Sequence, residues 1–194
     1  MAQPALILAS SSRFRRQLLS RLGVAFTCIA PDIDETPLAG ESAPELVQRL
    51  ARGKAEHVAA DNQDALVIGS DQVADLDGHI IGKPGSRERA IRQLQQQSGR
   101  VVTFHTGLCL CAPGQAQPAV TTNTVSTRFR RLTATEIERY VDHEDVTQTA
   151  GSIKSEGLGI SLLEAIDSND PTALIGLPLI GLRRLLADAG VSLP

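Results

Sequence analysis

The chain has 194 residues, 42% of them hydrophobic, and a formal net charge of -3 at pH 7. This length suits one substantial domain or two lobes that share a cleft, and the slightly acidic balance excludes a large nucleic-acid-binding surface. No apolar run is long enough to span a bilayer, and residues 1–4 lack the basic leader of a secretion signal. We therefore expect a cytoplasmic protein without a membrane partner.

A buried strand and a serine-rich turn open the chain. An apolar run at residues 5–9 predicts the strand, and Ser12 is a good N-cap for a helix over residues 13–22. Three cations crowd the first turn of that helix, and they are Arg13, Arg15 and Arg16. The helix dipole disfavours cations there, so free N–H groups, hydroxyls and guanidiniums together predict a phosphate site. A solvated basic face is the alternative.

A second strand is predicted over residues 24–29, and an acidic segment follows it. Asp32, Asp34 and Glu35 lie between two prolines, which keep the segment extended. Three carboxylates in a stiff loop could hold a divalent cation, although acidic loops are also common on surfaces.

The next helix carries a lysine on its apolar side. A capping box at Ser42 predicts a helix over residues 43–60, and Lys54 falls on the same stripe as Val47 and Val58. Lys54 either extends past the edge of the core or directs its ammonium toward a site that contains the carboxylates and the phosphate.

A carboxylate follows the third apolar run. Residues 65–68 predict a fully buried strand that Gly69 and Ser70 end, which places Asp71 at the carboxyl end, where α/β sheets bind ligands. A turn former or helix cap is the alternative for Asp71. The next residues predict a hairpin that returns the chain to Lys83, so we expect Lys83 near Asp71.

The remaining patterns predict regular elements and one irregular, glycine-rich segment. The helices are predicted over residues 87–97, 134–143 and 179–189, the strands over 101–111, 119–129 and 162–166, and the glycine-rich segment over 150–160. Three cysteines argue against a disulfide framework. Cys109 and Cys111 alternate along one strand, so we expect them to pack in the core.

Seven motifs, in this order, resemble those of the Maf family of nucleotide pyrophosphatases. They are Ser10-x-Ser12-x-x-Arg15-Arg16, Asp34-Glu35, Gly53-Lys54-Ala55, Gly69-Ser70-Asp71-Gln72, Gly82-Lys83-Pro84, Ala150-Gly151 and Gly176-Leu177-Pro178-Leu179. The resemblance implies an α/β fold of the inosine-triphosphatase type, an elongated mixed sheet flanked by helices, with two lobes and a central cleft in a single domain over residues 1–194. It also implies a divalent metal, Mg²⁺ or Mn²⁺, a cytoplasmic location and a homodimer.

Within this family the sequence is most similar to the branch that hydrolyses 7-methyl-GTP. Three positions taken to set base specificity differ from the dTTP/UTP branch: Phe14 replaces an arginine, Gln72 a threonine and Glu156 a glutamine. Arg13 replaces a proline of the family pattern, a departure that the sequence leaves unexplained.

The first and last of these replacements suit a 7-methylguanine base. Its ring is cationic, and an aromatic face such as that of Phe14 attracts a cation by about 0.5–2 kcal/mol. A carboxylate at Glu156 could accept hydrogen bonds from the guanine N1–H and exocyclic amine. The alternative for Phe14 is an ordinary place in the apolar stripe of its helix.

The activity implied is hydrolysis of the α–β phosphoanhydride to a monophosphate and pyrophosphate. In this hypothesis Asp71 is the proton acceptor for the attacking water, and Glu35, with Asp71, holds the metal. The residues expected to grip the triphosphate are Ser10, Ser12, Arg15, Lys54 and Lys83.

Three other functions stay open. One is a dTTP or UTP pyrophosphatase of the same family, and another is a non-hydrolytic nucleotide-binding regulator of cell division. A nucleotidyltransferase would also use basic loops and carboxylates, but the sequence offers no second substrate site.

Overall fold

Within residues 4–193, the part of the chain that the computed structural model describes, seven strands form one sheet. The strands are β1 (Leu6–Ala9), β2 (Thr27–Ile29), β3 (Leu66–Leu76), β4 (His79–Ile81), β5 (Val101–Cys111), β6 (Ala119–Phe129) and β7 (Leu163–Ser168). Residues 1–3, which belong to the segment used above to predict the absence of a leader, lie outside the described residues.

The sheet is mixed, as predicted. Its strand order is β2-β1-β3-β5-β6-β7, with β4 paired to β3. Strand β1 pairs in parallel with β2 and β3, whereas β4 is antiparallel to β3 and β7 is antiparallel to β6. Parallel neighbours on both sides of β1 agree with its continuous apolar sequence, because such strands are buried on both faces.

Helices connect the strands. They are α1 (Arg13–Ser20), α2 (Ala43–Ala60), α3 (Arg87–Gln97), α4 (Ala134–His143) and α5 (Leu179–Asp188), with short 3-10 helices at Ala150–Ser152, Leu158–Leu162 and Pro171–Ile175. The predicted capping boxes at Ser42 and Thr133 are both formed. Among the described residues, every helix is too short or too polar to cross a membrane.

The chain divides into two compact units. The first contains residues 4–71, Thr106–Asn123 and residues 170–193, and the second contains Gln72–His105 and Thr124–Asn169. Hereafter they are the first unit and the second unit.

The first unit buries both faces of β1. Leu6 and Leu8 pack with the buried leucines of α1 and α5 on one side, and Ile7 and Ala9 pack with the buried side of α2 on the other. Cys109 joins the second of these clusters, as predicted, and Cys111 is half-buried against it. The three cysteines are free thiols, which confirms that no disulfide framework forms.

The prediction that β3 ends at Gly69 is wrong. The strand continues to Leu76, and Asp71 therefore lies in its middle. Gly69 allows helix α2 to pack closely against the strand, because a Cβ at this position would lie 2.1 Å from the carbonyl oxygen of Ala51 in α2. Gly107 on the neighbouring strand β5 does the same, with 2.1 Å to the carbonyl oxygen of Val47. A glycine inside a strand here marks close backbone approach.

In the second unit the predicted hairpin joins β3 to β4. Asp77 and Gly78 both have positive φ, 51° and 81°, as a two-residue turn of this kind requires. Helix α3 packs against α4 and against the 3-10 helix Ala150–Ser152.

Candidate active site

An ammonium group bridges two carboxylates in the first unit. Lys54 Nζ lies 2.6 Å from Asp71 Oδ1 and 2.7 Å from Glu35 Oε1. Only 6% of the lysine side chain and 10% of the aspartate side chain are exposed, whereas Glu35 exposes 49%. Two carboxylates and one ammonium leave one net negative charge, which is the charge that a cation or a cationic ligand would offset.

Three local features of the sequence assemble this group. The buried stripe of α2 carries Lys54 toward the sheet, and Gly69 lets the helix backbone approach β3 closely enough for the lysine to reach Asp71. Glu35 comes from the proline-bounded loop before α2 and meets the same ammonium from its exposed side. Of the two orientations left open for Lys54, the structure has the inward one.

Arg15 stands beside this group with its guanidinium tied to the backbone. Its Nε donates to the carbonyl of Gly176 at 2.9 Å, and Nη1 donates to Ser10 Oγ at 3.4 Å. Burial lowers the pKa of Arg15, and the negative charges of Asp71 and Glu35 partly offset that effect. Arg15, which was predicted to bind phosphate, therefore lies close enough to the two carboxylates to feel their charge.

The serines of the first loop are ordered around α1. Ser12 is the N-cap, and its hydroxyl accepts from the Arg15 N–H at 3.5 Å. Ser10 is buried, and its hydroxyl accepts from the Ser12 N–H at 3.1 Å. Both hydroxyls lie at the N-terminus of a helix, the position that binds anions.

Sequence reasoning missed a buried link between Asp71 and Arg15. The hydroxyl of Ser70, the residue before Asp71, lies 2.8 Å from the carbonyl oxygen of Gly107 and 3.1 Å from that of Gly176. The Gly176 carbonyl is the one that also accepts from Arg15. Gly176 has φ 117°, a left-handed conformation that favours glycine. Ser70 and Gly176 each belong to a motif of the sequence, but neither motif indicates that the two residues meet.

The three carboxylates of the acidic loop are not grouped around one point. Asp34 turns to its own loop, where its Oδ1 accepts from the Thr36 N–H at 2.9 Å, and hydrogen bonds from Thr36 lower the pKa of Asp34. Within residues 4–193 no three His, Cys, Asp or Glu side chains are grouped as a metal would need. The expectation of a three-carboxylate cation loop is therefore wrong, and the metal-binding role of Glu35 and Asp71 stays a prediction.

Phe14 is half-buried on α1, and Arg13 covers one face of its ring. The guanidinium carbon lies 4.8 Å from the ring centroid, which is cation–π geometry. The residue that departs from the family pattern thus makes a cation–π contact with its neighbour, and the base-binding role of Phe14 stays a prediction.

The other three predicted residues lie in the second unit. Gln72 is half-buried, and Lys83 and Glu156 are exposed. Glu156 sits in a tight turn, in which the Gly157 N–H donates to the carbonyl of Lys154 at 3.2 Å. The expected proximity of Lys83 to Asp71 stays a prediction.

Comparison with known proteins finds a family model and relatives that match nearly the whole chain. A family model described as Maf-like protein matches residues 5–189. A protein of Burkholderia orbicola (strain AU 1054) named 7-methyl-GTP pyrophosphatase is 56% identical over 189 residues, which are 96% of this chain and 90% of the relative. A protein of the same name from Xanthomonas oryzae pv. oryzae (strain MAFF 311018) is 54% identical over 191 residues, 98% of this chain and 100% of the relative.

A more distant likeness comes from solved structures. The Staphylococcus aureus Ham1 protein aligns with 66% of this chain and 72% of its own, with a TM-score of 0.49 and 20% sequence identity. The predicted mixed α/β class is confirmed by the sheet and helices of this chain itself.

Proposed function

Because this chain belongs to the family of Maf-like proteins, we propose that it hydrolyses the α–β phosphoanhydride of 7-methyl-GTP, releasing 7-methyl-GMP and pyrophosphate. Relatives that match nearly the whole chain carry the name of that activity. The observation that carries the proposal is the buried contact of Lys54 with Asp71, with Glu35 and Arg15 beside it. Phosphoryl-group hydrolysis needs this combination of a carboxylate base and fixed cations.

Asp71 is the proposed proton acceptor. Its Oδ1 is held by Lys54 Nζ, which fixes the orientation of the carboxylate in the middle of a rigid strand. A water placed against this carboxylate would lose its proton to Asp71 as its oxygen attacks the α-phosphorus, and pyrophosphate would leave. Positioning of this kind supplies much of the rate in phosphoryl transfer.

The cations Arg15 and Lys54 are proposed to bind the triphosphate. Both are fixed before substrate arrives, Arg15 by Gly176 and Lys54 by Asp71, so little side-chain ordering remains to oppose binding. Ser10, Ser12 and the N-terminal N–H groups of α1 add neutral donors for phosphate oxygens. Lys83 joins this set as a prediction from the sequence.

Glu35 and Asp71 are the proposed ligands of a divalent cation, Mg²⁺ or Mn²⁺. They fit it because both offer hard oxygen donors, and because each carboxylate has a second oxygen besides the one that contacts Lys54 Nζ. One or two carboxylates with substrate phosphates are a common magnesium site. When bound, such a cation offsets negative charge on the phosphate oxygens.

Base selection is assigned to Phe14, Gln72 and Glu156 on the strength of the family pattern. The ring of Phe14 carries the Arg13 guanidinium over it, and a cationic base is proposed to bind the same ring in a similar way. Glu156 is exposed and able to accept hydrogen bonds from guanine. A single catalytic domain, a cytoplasmic location and a homodimer complete the proposal. Light scattering on the purified protein measures the last of these.

The activity is tested by following products in H₂¹⁸O with 7-methyl-GTP, GTP, dTTP and UTP, each with and without Mg²⁺ or Mn²⁺. We expect the fastest turnover on 7-methyl-GTP, pyrophosphate as product, and ¹⁸O in the monophosphate, because water attacks the α-phosphorus.

Three outcomes would contradict parts of this proposal. Faster turnover of dTTP or UTP would assign the chain to the pyrimidine branch. Label in inorganic phosphate would show attack at the γ-phosphorus. Binding of 7-methyl-GTP with no hydrolysis under any condition would favour the non-hydrolytic regulator.

A further inference from the structure

The turn that carries Glu156 is fastened to helix α4 by a buried hydroxyl. The N–H of Lys154 donates to Tyr140 Oη at 2.9 Å, and both residues are buried. Lys154 also closes the turn, since its carbonyl accepts from Gly157 at 3.2 Å. The residue two positions before Glu156 is therefore held on both of its backbone groups.

Two glycines bring the same turn into contact with α4. A Cβ on Gly159 would lie 2.5 Å from the carbonyl oxygen of Lys154 and 2.8 Å from Tyr140 Oη. A Cβ on Gly157 would lie 2.5 Å from Glu144 Oε2. Neither glycine has a positive φ, so close approach is the reason that a side chain is excluded.

Tyr140 and Glu144 lie one helical turn apart, and each comes close to a glycine that follows Glu156. Glu144 ends α4, and its N–H donates to the carbonyl of Tyr140 at 2.9 Å. Glu144 Oε2 is buried and receives no hydrogen bond from any residue between 4 and 193. Burial raises the pKa of Tyr140, and the negative charges of Glu144 and Glu156 raise it further, so its hydroxyl stays neutral.

We propose that Tyr140 is a positioning residue for base specificity, holding the turn from Lys154 to Gly157 so that Glu156 presents its carboxylate to the base. This inference rests on the proposed function. In this proposal Tyr140 acts through the backbone of Lys154, from whose N–H it accepts a hydrogen bond, and not by binding the base itself. Without its hydroxyl, the Lys154 N–H would be buried with one acceptor fewer, and the turn would lose its fixed position.

The test is a double-mutant cycle of Tyr140→Phe and Glu156→Gln, read as the ratio of kcat/KM on 7-methyl-GTP to that on UTP. We expect Tyr140→Phe to lower this ratio roughly tenfold, mainly by raising KM for 7-methyl-GTP. The reason is that the Glu156 carboxylate would be misplaced for its hydrogen bonds with the base. In the Glu156→Gln background the same change should leave the ratio where it is. Gly159→Ala, whose new Cβ would press on both the Lys154 carbonyl oxygen and Tyr140 Oη, should also lower the ratio.

Ile137→Val is the matched control, since Ile137 is buried on the same helix and its truncation reduces packing without removing a hydrogen bond. It should lower the melting temperature and leave the ratio unchanged. If Tyr140→Phe lowers rates on both nucleotides equally, or lowers the ratio as much in the Glu156→Gln background, Tyr140 has only a structural role. If the wild-type protein hydrolyses neither nucleotide, the proposed function itself fails.

Discussion

The two units hold the side chains proposed to act on the nucleotide in different ways. In the first unit, buried charges are fixed by other charges: Lys54 lies between Asp71 and Glu35. In the second unit, Lys83 and Glu156 are exposed, and what is fixed is the backbone beneath Glu156, through a tyrosine hydroxyl and two glycines.

This difference corresponds to two tasks. Electrostatic interactions are stronger where water is excluded, so groups proposed to move a proton and bind phosphates gain from burial. A buried charge is costly without its partner, which makes the first unit intolerant of single changes. A side chain that hydrogen-bonds to a base, as proposed for Glu156, must stay accessible to solvent. Its position therefore depends on how firmly the backbone that carries it is held. The variants below test this contrast.

The largest effect is expected from Asp71→Asn. An amide cannot accept the proton of water, so kcat on 7-methyl-GTP should fall by about 10²–10⁴-fold. Lys54 keeps its contact with Glu35, so the protein should remain folded by circular dichroism. Asp64→Asn, at an exposed turn, is the control and should keep the wild-type rate. Near-normal turnover in Asp71→Asn would remove Asp71 from the role of base.

Gly69→Ala should break the first unit without altering any charge. The new Cβ would meet the α2 backbone, so the helix must shift and carry Lys54 away from Asp71. We expect urea unfolding to show a loss of about 1–3 kcal/mol from overpacking, together with a kcat lower by roughly tenfold or more.

Gly53→Ala is the matched control for that change. It lies next to Lys54 in α2, but its Cβ would meet only the Ile33 side chain at 3.4 Å. Replacing a helical glycine by alanine should stabilise the protein by up to about 1 kcal/mol. If Gly69→Ala and Gly53→Ala had the same free energy of unfolding and the same kcat, the close approach at Gly69 would not be what positions α2.

Ser70→Ala tests the uncharged link between Asp71 and Arg15. Loss of the hydroxyl leaves the carbonyls of Gly107 and Gly176 without that donor, which costs about 1–3 kcal/mol. Because Gly176 also holds Arg15, we expect a KM for 7-methyl-GTP higher by roughly tenfold and a smaller change in kcat. Ser20→Ala, which removes an exposed hydroxyl bond to Gln17, should leave both constants unchanged. An unchanged KM in Ser70→Ala would separate Ser70 from phosphate binding.

The smallest effect should come from Arg13→Ala, which removes the guanidinium that lies over the Phe14 ring and would compete with a cationic base. An exposed cation–π contact contributes about 0.5–1 kcal/mol, so KM for 7-methyl-GTP should fall roughly two- to fivefold. KM for GTP, whose base is neutral, should stay the same. Arg21→Ala, at the other end of α1, controls for the loss of one positive charge. A rise in KM on both nucleotides would mean that Arg13 binds phosphate instead.

The bounds of several elements and their caps could be predicted from short-range patterns in the sequence. Helix α3 and strands β5 and β6 have the predicted bounds, and the capping boxes at Ser42 and Thr133 formed, because these features depend on residues a few positions apart. The ordered motifs also sufficed to indicate the family, which the match over residues 5–189 confirms.

Only the tertiary structure decided how distant segments meet. The continuation of β3 past Gly69 depends on how closely α2 packs against it, so the glycine that looked like a strand breaker is a contact point. Ser70 meets Gly176 across 106 positions, and Arg15 meets it across 161. Contacts at such separations depend on the mutual approach of whole elements, which no local window of sequence contains.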